Sequence, residues 1–289
     1  MKHRLAVATL TLATIAGSTF GLAPRAFADD STPLPVAEPV VPSQNSREAV
    51  AESAIGKSTV DPATRLVEIK GKGAAAIAKR QATINELTGK ISRQTKDCGS
   101  NAAMITEMAN SSTSLNTVGV SLAAATDIKV ARDLYRSIFI DHRIYLLVAP
   151  KAGKVIRCDV QLQRNEALTA EGNKLQATID EAKAKGVDTT EAQAIKNAAM
   201  TQLGGINPGA ALPAIMGLLP DKGDRAVQAA NTAALRGADA ALDGTFASQK
   251  SVNAQFAAAR KALRLASSVA RGAKKAANEQ ARTARKANK

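Results

Sequence analysis

Apolar residues recur at three-, four- and seven-residue spacings along most of this chain, and that spacing predicts amphipathic α-helices. The first clear series is Leu66, Ile69, Ile77, Ile84, Leu87 and Ile91. Asp61 and Pro62 precede it as an acidic N-cap and a proline at the first helical position, so a helix is predicted to begin there. Cys98 follows the last isoleucine by seven residues and therefore falls on the same buried row.

Further apolar series predict helices along the rest of the chain. Cys98-Gly99-Ser100-Asn101 predicts that one helix stops and another starts, and Gly204 to Gly209 predicts a loop. The later helices are marked by Ile105 to Leu122, by the stretch that Thr126-Asp127 caps, by Pro150 to Lys185, by Asp188 to Leu203, by Asp224 to Leu242 and by Phe246 to Ala270.

The stretch from Asp127 to Cys158 is the predicted packing centre. It holds both tyrosines and the longest run of large aliphatic residues outside the N-terminal segment. A helix fits its spacing best, although Arg143 to Val148 alone also fits a buried strand. The predicted core residues of this stretch are Tyr135, Ile138, Phe139, Ile144, Tyr145, Leu147 and Val148.

Composition supports a helical fold. Tryptophan is absent and aromatic residues are 2% of the chain, so Ala, Leu, Ile and Val must fill the core, which suits close-packed helices. We predict an all-α fold, an elongated antiparallel bundle of long helical hairpins, over residues 61–270. Residues 29–60 are predicted as a disordered, Pro-rich linker with one short helix. Residues 271–289 are predicted as a basic, disordered tail. The sequence leaves homo-oligomerisation, including intermolecular coiled coils, open.

The first residues have the pattern of a secretory signal. Lys2, His3 and Arg4 precede an apolar stretch over residues 5–20, and Ala26-Phe27-Ala28 is a small-x-small cleavage site. An uncleaved membrane anchor is the alternative, but Thr, Gly and Ser interrupt the apolar stretch. We therefore predict a signal peptide over residues 1–28, cleaved after Ala28, and a secreted or extracytoplasmic protein.

Export also bears on the two cysteines, Cys98 and Cys158. In an oxidising compartment disulfides persist, so the simplest prediction is that these two residues pair. Such a bridge closes a loop of about 60 residues and stabilises the fold by roughly 4 kcal/mol on the chain-entropy model. Two buried free thiols are the alternative.

Charge is concentrated at the C-terminus. The full chain has a formal net charge of +14, and ten Lys and Arg residues stand against one acid, Glu279, from residue 257 onward. Such a basic segment predicts contact with a polyanion, such as an anionic cell-wall polymer or an acidic glycan, with nucleic acid possible but not favoured. A solubilising terminus without a partner is the alternative. The predicted contact residues are Arg271, Lys274, Lys275, Arg282, Arg285, Lys286 and Lys289.

Three segments resemble a group of secreted, all-helical bacterial proteins to which no activity is assigned: IAKRQATINELTGKI, TDIKVARDLYRSIFIDHRIYLLVAPKAGKVIRCD and LQATIDEAKAKGVDTTEAQAIKNAAM. That group has repeated R-I-x-x-L helices, an R-I-Y-x-L-V-x-P core motif and a closing Ala/Arg-rich helix. The similarity covers Leu66 to Arg264, and the core motif is its specific part. The two cysteines depart from the group. The resemblance implies an exported helical protein and implies no activity.

Motifs for catalysis are scarce. His142 is the one histidine after the signal, and no G-x-S-x-G nucleophile motif accompanies it. No C-x-x-C pair, calcium loop or phosphate-binding loop is present, so no metal or cofactor is predicted. We predict a non-enzymatic structural or interaction protein. The alternatives are a helical hydrolase or small-ligand carrier with a pocket around Tyr135, Phe139, His142 and Tyr145, or a polyanion and nucleic-acid binder.

Overall fold

The computed structural model describes residues 61–287, and every regular element in that range is helical. The all-α prediction is therefore confirmed, whereas the predicted signal peptide and Pro-rich linker lie outside the described residues. Within residues 61–287, seven α-helices are interspersed with one π-helical turn and one 3₁₀ turn. In chain order the elements are α1 Pro62–Ser92, α2 Asn101–Ala124, α3 Ile128–Ile140, the π-helix Ile144–Val148, α4 Ala149–Ala184, α5 Thr190–Gly204, the 3₁₀ turn Pro208–Ala211, α6 Pro213–Met216 and α7 Arg225–Ala287.

Two helix starts follow directly from local sequence. The Asp61 carboxylate accepts hydrogen bonds from the backbone N–H groups of Ala63 and Thr64 at 3.2 and 3.3 Å. The Asp127 carboxylate caps α3 in the same way, with its two bonds at 2.7 and 2.9 Å. Each cap satisfies amide groups that have no partner within the helix.

Neighbouring helices form two antiparallel hairpins. In the first hairpin, α1 runs against α2, so that Lys70 near the start of α1 donates to the carbonyl of Ala123 near the end of α2. In the second hairpin, α4 runs against α5. Its contacts pair Gln176 with Gln193, and Asn165 with the carbonyl of Ile206. The predicted long helical hairpins are thus present.

The last helix, α7, runs parallel to α4 rather than antiparallel to it. Its partners on α4 advance in step with its own sequence, as shown by Lys154–Asp239, Arg157–Asp243, Gln161–Gln249 and Glu171–Arg260. The chain achieves this because the connector between α5 and α7 returns to the start of α4 before α7 begins. The bundle therefore combines the two antiparallel hairpins with a parallel packing of α7 on α4.

The core consists of two hydrophobic clusters that share α4 and α7. The first cluster lies among α1–α3, the π-helix, the first part of α4, α6 and the beginning of α7. The second lies among the rest of α4, α5 and the middle of α7. Polar residues stand between the two, since the buried Gln249 amide donates to the carbonyl of Gln161 and to the side chain of Asn165 at 2.8 and 2.7 Å. These bonds fix the register of α7 against α4.

Close helix packing in the second cluster depends on Gly172. A Cβ atom there would lie 2.4 Å from the sulfur of Met200 and 3.0 Å from Cζ of Phe256. Gly237, in α7, has no heavy atom within 4 Å of the equivalent position. The first glycine therefore has a steric role that the second does not have.

The predicted core residues of the packing centre are buried or partly buried, but the stretch is not one helix. Of its seven predicted core residues, Tyr135, Ile138, Ile144, Leu147 and Val148 are buried, and Phe139 and Tyr145 are partly buried. The backbone breaks after Ile140, because Arg143 adopts the left-handed conformation with φ of 43° before the π-helix begins. The residues from 144 to 148 are helical, so the alternative of a buried strand is wrong.

The predictions for the C-terminal quarter need correction. The two predicted helices, 224–242 and 246–270, are one helix, and it continues to Ala287. Residues 271–287 are therefore helical, and the prediction of a disordered tail is wrong over that range. Alanine, arginine and lysine are among the strongest helix formers, so the segment continues as a helix without large apolar residues to bury.

Candidate functional site

The two cysteines form a disulfide, with an S–S distance of 2.04 Å and a Cα–Cα distance of 6.2 Å. Cys98 lies in the connection between α1 and α2, and Cys158 lies in α4. The bridge therefore joins the first hairpin to the second, and the alternative of two free thiols is wrong.

A buried carboxylate lies directly beside this bridge. Asp159 is fully buried, and its Oδ1 accepts a hydrogen bond from the backbone N–H of Cys98 at 2.8 Å. Burial raises the pKa of the Asp159 carboxyl above its ordinary value of 3.8, and the bond from Cys98 opposes that shift. This carboxylate holds the cysteine loop against α4.

The predicted pocket around the aromatic residues contains an arginine. Tyr135 and Phe139 pack edge to face, with ring centroids 5.1 Å apart. The guanidinium of the buried Arg80 lies over two rings, 4.3 Å from the centroid of Phe139 and 5.0 Å from that of Tyr145. Sequence reasoning missed Arg80, although it falls on the buried row of α1, between Ile77 and Ile84. A cation on an apolar row was the available signal.

His142 is half-buried at the break between α3 and the π-helix. Burial lowers the pKa of its imidazole, the charge of Asp141 raises it, and the charge of Arg80 lowers it further. A lowered pKa favours the neutral ring at neutral pH. Within residues 61–287, no group of three His, Cys, Asp or Glu side chains is arranged to hold a metal ion.

A buried lysine fixes the connector that leads into α7. Lys151 is 1% exposed, and its Nζ donates to both carboxylate oxygens of Glu107 at 2.8 and 2.6 Å. The same ammonium donates to the backbone carbonyls of Met216 and Leu218, both at 3.2 Å. Arg143 and Asp221 add a second ion pair at 2.6 Å in the same region.

A strongly basic surface lies on the exposed end of α7. Every side chain from Arg271 to Lys286 is exposed. Among the residues that the structure describes, no carboxylate forms an ion pair with the six predicted contact residues in this range, and Lys289 lies outside the described residues. At 3.6 residues per turn these six cations fall within an arc of about 120°. We call this surface the basic face; it comprises Arg271, Lys274, Lys275, Arg282, Arg285 and Lys286.

The side of the helix opposite the basic face carries small side chains and little charge. Alanine predominates there, at positions such as Ala273, Ala276 and Ala284, and all of them are exposed. Two larger apolar side chains, Leu265 and Val269, are also exposed, immediately before this segment. Sequence alone located the cations, but their alignment on one side requires the helix.

No helix within residues 61–287 combines the length and the apolar character needed to cross a membrane. The described residues provide three features: a covalent link between the two hairpins, an aromatic cluster with an arginine over its rings, and an exposed cationic helix. Comparison of the chain with protein-family models, with curated proteins and with solved structures finds no match.

Proposed function

We propose that this protein is an exported, non-enzymatic structural or interaction protein of the cell envelope or extracellular space, and that its basic face contacts an anionic polymer. The main observation in support of this proposal is the basic face, which has six exposed cations on one side of a helix. The signal-like N-terminus and the disulfide between Cys98 and Cys158 support an extracytoplasmic location.

Physical chemistry favours a polyanion as the partner. Clustered cations attract a chain of anions and displace its counterions, which provides binding that weakens steeply as salt rises. An anionic wall polymer or an acidic glycan supplies such a chain outside the cell. Nucleic acid fits less well, because the last aromatic residue is Phe256 and no ring on the exposed end of α7 can stack with bases.

The alternative of a hydrolase or ligand carrier has less support. Arg80 lies over the rings of Phe139 and Tyr145, so its guanidinium occupies the space above these rings. Within the part of the chain that the structure describes, no hydrogen bond joins the nearby His142 to a hydroxyl or thiol that could act as a nucleophile.

The proposed function is tested by binding of the full mature chain to purified cell walls at several salt concentrations. A matched variant replaces the six cations of the basic face with glutamine, which keeps the helix propensity and removes the charge. We expect salt-sensitive binding by the unmodified chain and a loss of about tenfold or more in the variant. Equal binding by the two proteins, or binding that salt does not weaken, would refute the proposal.

A further inference from the structure

The cations of α7 recur at an interval of eleven residues. The recurrence begins within the bundle and continues through the exposed end. Its three series are Arg260, Arg271 and Arg282; Arg264, Lys275 and Lys286; and Lys274 with Arg285. Alanines recur at the same interval, as in Ala262, Ala273 and Ala284. The segment is therefore an internal repeat and not only a basic composition.

An eleven-residue interval keeps a side chain on one side of a helix. Eleven residues make three turns at 3.67 residues per turn, so each repeat shifts the stripe by only about 20°. The row from Arg264 to Lys286 thus runs along roughly 33 Å of helix. Arg260 marks its beginning but is already paired with Glu171. The free part of the stripe starts at Arg264, which is exposed.

The spacing within each repeat is also regular. Arg271 and Lys275, like Arg282 and Lys286, stand four residues apart, which is about 6 Å along the helix axis. A phosphodiester chain with three-carbon units between its phosphates repeats its charge over a similar length, about one helical turn. The stripe therefore matches a linear polymer in which about six consecutive phosphates lie along the helix.

The stripe has an electrostatic cost when it is unoccupied. Like charges at three- and four-residue spacings oppose helix formation, and Arg271 stands in that relation to both Lys274 and Lys275. The same holds for Arg282 with Arg285 and Lys286. A bound polyanion removes this repulsion, so binding and helix stability at the exposed end of α7 are coupled.

We infer that α7 is a binding track for one linear polymer of a polyol phosphate, which lies along the helix from Arg264 to Lys286. This inference rests on the proposed function and adds the partner's chemical class and its mode of binding. Opposite the stripe, the described residues of the track carry two large exposed apolar side chains, Leu265 and Val269, and otherwise mainly alanines, which is little apolar area for insertion into a lipid surface. Recognition uses charge and spacing, because the track has no aromatic residue to stack with a base.

The experiment compares the full mature chain with a variant of identical composition and net charge. In the variant, three cations exchange places with adjacent alanines: A273K/K274A, K275A/A276K and A284R/R285A. These exchanges move the three charges out of the stripe to the opposite side of the helix. The probes are synthetic glycerol-phosphate oligomers of about 3, 6 and 12 units, chosen around the length of the track.

We expect affinity to rise steeply up to about six units and slowly beyond, and the exchange variant to bind about tenfold more weakly. Hydrogen exchange across residues 271–286 should slow when the six-unit oligomer binds to the unmodified chain. Equal affinity of the two proteins would overturn the track while leaving a general polyanion-binding function intact. Absence of salt-sensitive binding by either protein, to oligomers and to cell walls alike, would overturn the proposed function as well.

Two further probes decide the class of partner. Single-stranded oligothymidylate has the same three-carbon spacing between phosphates, and vesicles of phosphatidylglycerol and phosphatidylcholine present phosphates on a surface. We expect the vesicles to bind more weakly than the glycerol-phosphate oligomer of about 12 units at equal phosphate concentration, because their phosphates do not form a linear chain. We expect the oligothymidylate to bind no more tightly than that oligomer, because the track has no ring to stack with its bases. Tighter binding of either one would overturn a polyol phosphate as the occupant of the track.

Discussion

Lys151 should be one of the most sensitive positions of the fold, and its replacement by methionine tests this. Methionine keeps an unbranched side chain and removes the ammonium. The Nζ atom now donates to the Glu107 carboxylate and to two backbone carbonyls, and the lysine side chain is 1% exposed.

The total can be bounded from the surroundings of the pair. Breaking a buried ion pair costs about 3–5 kcal/mol. The Glu107 side chain is 27% exposed, so water can solvate part of its charge, and the lower end of that range applies. We therefore expect the free energy of unfolding to fall by about 3 kcal/mol in Lys151→Met.

The matched control is Lys154→Met, one turn along the same helix. Lys154 pairs with Asp239 at 2.6 Å, but that carboxylate is 44% exposed, so its loss should cost about 1 kcal/mol or less. Chemical denaturation followed by circular dichroism measures both variants. If Lys151→Met costs no more than Lys154→Met, then Lys151 does not anchor the connector and the reasoning is wrong.

Three other predictions concern stability. Replacing Cys98 and Cys158 together by serine should lower the free energy of unfolding by about 4 kcal/mol, as measured by denaturation; an unchanged midpoint would contradict this. Gly172→Ala should destabilise the fold by about 1–3 kcal/mol. Gly237→Ala, in open space, should instead stabilise the fold by about 0.5–1 kcal/mol. Equal effects of the two substitutions on the free energy of unfolding would refute the steric argument. The raised pKa of Asp159 means that the folded state binds its proton more tightly, so this group's contribution to stability falls as pH rises above about 3.8. Asp159→Asn should remove that dependence in denaturation measured across pH, and an identical pH profile would exclude it.

Local signals predicted the helix starts well. Asp61 and Asp127 act within three residues of themselves, so the sequence around them is enough to predict the caps. The pairing of Cys98 with Cys158 was predicted from compartment and from parity, not from geometry. The break at Arg143 was not predicted, because an arginine stands where the left-handed backbone is ordinarily signalled by a glycine.

The register between helices that are distant in the chain could not be predicted from the sequence. The parallel course of α7 depends on contacts such as Gln249 with the Gln161 carbonyl, and those residues lie far apart in the chain. The aromatic cluster shows the same limit, since no local pattern places Arg80 over Phe139. For the candidate site, the sequence provided the six cations. It did not predict their alignment, because the segment was taken to be disordered rather than helical.

The parallel packing of α4 and α7 has a mechanical consequence. If the proposed polymer binds, a tensile load that it applies at the exposed end of α7 acts along the helix axis. It therefore shears the lateral contacts of the pair simultaneously instead of peeling them apart one by one, and the ion pairs from Lys154 to Glu171 share the force. Cys158 lies within this loaded part of α4, so the disulfide carries the load covalently into the first hairpin.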